Sequence, residues 1–187
     1  MPVTTLDPCT ALVVIDLQKG LAAYPTIHPF AGVVAHAAAL AAEFRRHRLP
    51  VVLVNAAGSA PGRTEQPRRG PALSGEAIEL LPELGRQPDD LLVTKTTWGA
   101  FASTDLAARL RALGVTQIVL AGVATSVGVE STAREAHGLG LNVTLAVDAM
   151  TDLSAEAHDN SVGRIFPRLG ETGTTAAIVA LLAARGR

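Results

Sequence analysis

Apolar residues along the chain fall into two kinds of stretch that alternate. Short runs occur at 10–15 (TALVVI), 50–55 (PVVLVN), 91–94 (LLVT), 117–121 (QIVLA) and 141–147 (LNVTLAV). Their length and β-branched content predict strands buried on both faces, the kind found in parallel sheets. Between them, apolar residues recur at helical spacing. Val34, Ala37, Ala38, Ala41 and Phe44 mark a helix over 33–48, and Arg45-Arg46-His47-Arg48 at its end complements the helix dipole. Leu106, Leu110 and Leu113 mark a second over 104–113, ended by Gly114. The proline-free stretch 129–137 predicts a third helix closed by Gly138, Ser154 is placed to cap a fourth over 154–162, and the run 178–182 belongs to a closing helix. Strands alternating with helices in this way predict a three-layer αβα fold, a doubly wound parallel α/β sheet, with 2-1-3-4-5 as the natural order under right-handed crossovers. At 187 residues the chain fits a single domain, 1–187, burying roughly 70% of its unfolded surface.

In open sheets of this kind ligands bind outside the carboxyl ends of the strands. Asp16 ends the first predicted strand and Lys95 the third, and in the order 2-1-3-4-5 those strands are neighbours. Alone, Asp16 also fits a turn-forming aspartate, and Lys95 an exposed lysine with its stem packed on Trp98. The fourth strand runs into GVATSVGVESTAR at 122–134, a strand, a tight glycine-flanked turn and a helix start. Small residues there let the backbone approach a ligand, and unpaired N–H groups point at whatever sits above, so the turn is either an anion or oxyanion site or an ordinary connection. Asp148 is predicted at a further strand end. The loop at 20–30 places Tyr24 and His28 where they can line a pocket. The long connection 56–90 is rich in Gly, Pro and Arg, and Arg63, Arg68 or Arg69 in it is a candidate for holding an acidic substrate. The stretch 170–175 lacks the lysine and spacing of a phosphate-binding P-loop.

Composition narrows the partners. Sixteen Lys+Arg against 17 Asp+Glu give a net charge of −1, which disfavours nucleic acid and an electrostatic membrane footprint. Cys9 is the only cysteine, so neither an internal disulfide nor a cysteine metal cluster forms, and a reducing compartment fits. The start, MPVTTLD, lacks the pattern of a signal peptide, and the two longest stretches free of Asp, Glu, Lys and Arg are broken by prolines or glycines. A soluble, cytoplasmic protein with a small-molecule substrate is expected, and with it a homo-oligomer, dimer or higher.

Three motifs carry a resemblance to a known family. Asp16-Leu17-Gln18, Lys95 followed by Trp98-Gly99-Ala100-Phe101, and the turn at 122–134 together resemble the isochorismatase-like hydrolases, the superfamily of nicotinamidases, N-carbamoyl amidohydrolases and isochorismatases. The resemblance spans essentially the whole length. It implies the three-layer fold, a triad role for Asp16 and Lys95, an oxyanion site at the N–H groups of Ala124 and Gly128, and a cis peptide between Val123 and Ala124. Asp148 takes a structural role in this comparison, and Trp98, Phe101 and His28 are expected around the substrate. Most members carry a cysteine nucleophile at the seventh position of the turn; here that position is Gly128, from which a side chain is expected to point into the crevice. Glycine has nothing to attack with, so thioester chemistry cannot run through it. Isochorismatases resemble this chain in having glycine there and cleave a vinyl ether without a covalent intermediate. The glutamine they carry after the second strand is replaced, since Asn55-Ala56-Ala57 stands there. The connection 56–90 has no histidine, so the Asp/His metal set of nicotinamidases is absent; no metal and no cofactor are expected. The expected activity is non-covalent hydrolysis by an Asp16/Lys95 pair. The alternatives are a silent ligand-binding member, or an amide or carbamoyl hydrolase using Ser126 or Ser131.

Overall fold

All six residues of Thr10–Ile15 (β1) and all seven of Gln117–Val123 (β4) are buried. Strands hidden on both faces need helices above and below, and the computed structural model, which describes residues 2–65 and 73–185, has that architecture. Val51–Ala56 (β2), Leu91–Lys95 (β3), Asn142–Thr151 (β5) and Glu171–Gly173 (β6) complete one sheet, in which every neighbouring pair is parallel, ordered β3-β2-β1-β4-β5-β6. On one face Phe30–Arg46 (α1) and Thr175–Ala184 (α5) bury Phe44, Leu40, Ile178 and Leu182 against Leu12, Val14, Leu53 and Val119. On the other, Leu106–Ala112 (α2) and Glu130–Gly138 (α3) pack Leu106, Leu110, Ala133 and Ala136 against Val13, Ile15, Val52 and Ile118. The period-2 alternation along β1 assigns each residue to its face.

This order corrects the expected 2-1-3-4-5. The end of the connection from β2 to β3 lies on the same face as α1: its Leu84 is in the core with Phe44, and Arg45 bonds both Leu84 O and Asp90. The chain therefore takes a second step outward, past β2, before α2 carries it over the opposite face to β4. The switch point falls between β1 and β4, and β3 is an edge strand.

Other boundaries move for local reasons. The third helix closes at Gly138, as expected, and the chain turns away from it at Gly140, whose φ of +80° suits glycine. Asp148 is not at a strand end, because the pairing of β4 with β5 slips between Leu120 and Gly122 and β5 runs on to Thr151. Its carboxylate accepts the backbone N–H and the hydroxyl of Thr175 at 2.7 and 2.9 Å, anchoring the start of α5. Ser154 caps Ala155–Asn160 (α4) through the N–H of Ala157. Among the described residues no helix is long and apolar enough to cross a membrane.

Candidate active site

At the carboxyl end of β1 the backbone of Asp16 turns into the left-handed region, φ +54°, unusual for a residue other than glycine but tolerated by aspartate. Its Oδ2 lies 2.7 Å from Lys95 Nζ, and the two residues are 6% and 3% exposed. Lys95 Nζ also donates to Thr97 O at 3.2 Å. Asp16 Oδ1 is buried with no hydrogen-bond partner. Burial pushes the Asp16 carboxyl up to about 6, against the opposing pull of the Lys95 charge and hydrogen bond. The pair thus holds a carboxyl that changes protonation close to neutral pH, a property that clusters at functional sites.

The turn after β4 closes over this pair. Gly122, φ +118°, passes so close to β1 that a side chain there would run into the backbone of Ile15. The Val123–Ala124 peptide is cis. A single π turn, Thr125–Val129, follows, in which the N–H of Val129 reaches Ala124 O at 3.2 Å. Such wide turns are frequent at functional sites. Gly128 sits in it, buried, and a β-carbon added there would lie 3.3 Å from Asp16 Oδ2 and 2.9 Å from Ile15 Cγ2. Asp16, Lys95 and Gly128 are therefore brought together, with Ala124 at the edge of the same turn. A side chain at 128 would start toward Asp16 in a space that Ile15 and Val123 O already crowd.

The remaining expected residues divide. Phe101 is a correction: it is 7% exposed and belongs to the core beneath α2 and α3, its N–H bound to Glu135 Oε2 at 2.8 Å, so it does not face a substrate. Trp98 is 61% exposed, mostly solvated rather than enclosed with Lys95. His28 is exposed as well, but its ring meets that of His158 edge-on, 5.0 Å between centroids. Arg63 is exposed, and Arg68 and Arg69 lie outside the described residues.

Several polar residues of the site have roles that the sequence does not assign. Gln18, fully buried, accepts the N–H of Ala56 and donates to Ala56 O and Ala77 O, so its amide acts like a peptide group pinning the chain after Asp16 to the end of β2. Asn55 donates to Ile78 O at 2.7 Å, so the segment around Ile78 is held against the end of β2. Asp152, 3% exposed, takes the N–H groups of Ser126, Leu153 and Ser154. His158 Nδ1 lies 2.9 Å from Thr125 Oγ1; burial, then the neighbouring His28, hold its pKa below the ordinary imidazole value. Only Gln18 had a signal, two residues past a strand-end aspartate; the others depend on contacts between distant segments.

Among the described residues, no group of three or more His, Cys, Asp or Glu is placed to hold a metal ion. Two cavities, of about 350 and 490 Å³, open elsewhere. One is lined by Asp7, Gln117 and Asn142, the other by Leu6, His47 and Arg185, and neither touches Asp16 or Lys95.

A doubly wound α/β fold with a buried acid–ammonium pair facing a strand-to-helix turn fits a small-molecule hydrolase. The isochorismatase domain model matches residues 10–177, and the chain is a member of the isochorismatase family. It is 43% identical over 173 residues to YwoC of Bacillus subtilis, an uncharacterized isochorismatase family protein, covering 89% of this chain and 90% of that one. It is 33% identical over 164 residues to the phenazine biosynthesis protein PhzD1 of Pseudomonas aeruginosa, covering 82% and 77%. The solved structure of an isochorismatase family protein from Burkholderia thailandensis superposes with a TM-score of 0.92 at 43% identity, covering 96% of this chain and 98% of that one.

Proposed function

We propose that this hydrolase cleaves a small enol ether without a covalent intermediate, Asp16 serving as general acid and base and Lys95 as its electrostatic partner. The observation that carries the reading is the geometry at position 128. A β-carbon there would stand 3.3 Å from Asp16 Oδ2, where a nucleophile would meet its base, and the residue is glycine. What remains is a carboxyl with a pKa of about 6, beside a lysine that sits on one of its oxygens. In the neutral form the proton belongs on Oδ1, since Oδ2 already accepts from Lys95.

The steps balance without a nucleophile. Asp16 gives its Oδ1 proton to the terminal vinyl carbon, and the double-bond electrons form that C–H bond while the ether oxygen shares the charge left on the adjacent carbon. Water adds to this oxocarbenium carbon and returns a proton to the Asp16 carboxylate. The hemiketal then collapses to a ketone and an alcohol, its hydroxyl proton passing to the departing oxygen. Lys95 holds the carboxylate while it is charged. The N–H groups of Ala124 and Gly128 are assigned to an oxyanion or carboxylate of the substrate, and small enol ethers bearing a carboxylate, isochorismate among them, fit the assignment.

A turnover screen with isochorismate, simple vinyl ethers, and carbamoyl and nicotinamide-type amides tests this reading. Hydrolysis of the ethers and none of the amides is expected. Amide hydrolysis without ether cleavage would replace it with the reading in which Ser126 or Ser131 attacks, and binding without turnover would replace it with a silent binding role.

A further inference from the structure

Lys95 is an end residue of an edge strand, and a lysine stem has four rotatable bonds, so β3 alone does not fix its ammonium against Asp16. The fixing comes from the loop that follows. Lys95 Nζ donates to Thr97 O, Thr97 Oγ1 donates to Gly99 O at 2.9 Å, and Ser103 Oγ takes the N–H of Thr96 at 3.1 Å, so the loop is stitched to itself around the ammonium. Two residues of α3 then dock it. The hydroxyl of Thr132, fully buried, donates to Gly128 O at 2.7 Å and accepts the N–H of Ala100 at 3.2 Å. One turn further on, Glu135 Oε2 accepts the N–H of Phe101 at 2.8 Å, and its carboxylate lies directly against Gly99, where any side chain would displace it.

We propose that Thr132, with Glu135 beside it, is a positioning residue: its single hydroxyl joins the turn at Gly128 to the loop at Ala100 and so sets Lys95 against Asp16. The proposal rests on the Asp16/Lys95 reading of the site and adds the residues that hold its two halves in register. A hydroxyl that donates to one segment and accepts from another fits this task better than a methyl group, which fills the same space without either bond. Thr132 and Glu135 are three apart on α3 and so present to one face, which is why one helix can hold two consecutive N–H groups of the loop.

The direct test follows the Asp16 carboxyl by ¹³C NMR titration in the intact protein and in Thr132→Val, Thr132→Ser and Glu135→Ala. Lys95 is the charged group that draws Asp16 toward ionisation, so a lysine that drifts must let the Asp16 titration move to higher pH. Thr132→Val is expected to show that upward move and, where turnover is measurable, a loss of roughly tenfold or more, the scale of a misplaced catalytic group. Thr132→Ser, which keeps the hydroxyl, is expected to recover most of both. A folded Thr132→Val whose Asp16 titrates as in the parent overturns the proposal. Should that variant not fold, Glu135→Ala, which releases the second docking bond, must show the same upward move, and an unmoved titration there overturns it equally. The titration needs no substrate: an Asp16 that responds to Thr132 in a protein that cleaves no enol ether supports the tether and removes the proposed chemistry.

Discussion

Lys95 Nζ stands 2.7 Å from Asp16 Oδ2 although β2 lies between their strands in the sheet. The lysine stem reaches past the end of β2, and the left-handed turn at Asp16 brings the carboxyl to meet it. Since Lys95 is what opposes the effect of burial on Asp16, Lys95→Met is predicted to raise the Asp16 pKa further above about 6. A ¹³C-carboxyl titration checks this, and an Asp16 that titrates at the same pH or lower would show that the lysine charge is not what holds it.

Asp16 also ties stability to pH. Its folded-state pKa is raised, so its contribution is fully present below the ordinary value of 3.8 and is lost as pH climbs through about 6. Relative to Asp16→Asn, which does not titrate, the parent is predicted to lose on the order of 3 kcal/mol between about pH 4 and pH 7. Urea denaturation of both proteins across that window measures it. Curves that run parallel would mean that the carboxyl titrates alike in the folded and unfolded chain.

Gly128→Ala tests the packing of the turn. The added carbon would lie 2.9 Å from Ile15 Cγ2, in a strand that is fully buried. Overpacking of this kind typically costs about 1–3 kcal/mol, offset by up to about 1 from replacing a glycine in helical backbone. A net loss of stability is predicted, and Ile15→Ala is predicted to relieve part of it, making the two changes non-additive. Strict additivity in a double-mutant cycle would show that the turn moves away from β1 instead.

Cys9 precedes β1 and is exposed, at the end of the sheet opposite Asp16. Complete alkylation of its thiol is predicted to leave turnover unchanged. Inactivation that disappears in Cys9→Ala would place the chemistry at the wrong end of the sheet.

What the chain discloses before folding follows from where its information is local. β1 and β4 stand out because burial on both faces demands an unbroken apolar run, and Asp16 and Lys95 stand out because each terminates such a run. β6 does not, because Glu171–Gly173 has no apolar pattern and joins the sheet only by pairing with β5. The strand order is equally hidden, since periodicity does not say on which side of β1 the long 56–90 connection will set down β3. Phe101 misleads for a related reason: its nearness to Lys95 in sequence says nothing about which face of the loop it takes, and the apolar core outcompetes the site for it. Thr132, Glu135 and His158 escape notice, and Gln18 shows only as part of a motif without its role, because each works by a hydrogen bond to a segment far along the chain.

The central claim, that the Asp16 proton goes to carbon and no covalent intermediate forms, is tested most directly by hydrolysis of an enol ether in D2O, with the parent and with Asp16→Asn. In the parent the former vinyl CH2 should appear as a CH2D group, and kcat/KM should fall as pH rises through about 6, since the acid form does the work. Asp16→Asn should lose both the deuterium transfer and the rate. A product without deuterium at that carbon, or an Asp16→Asn variant that cleaves the ether at the parent rate, would contradict the account.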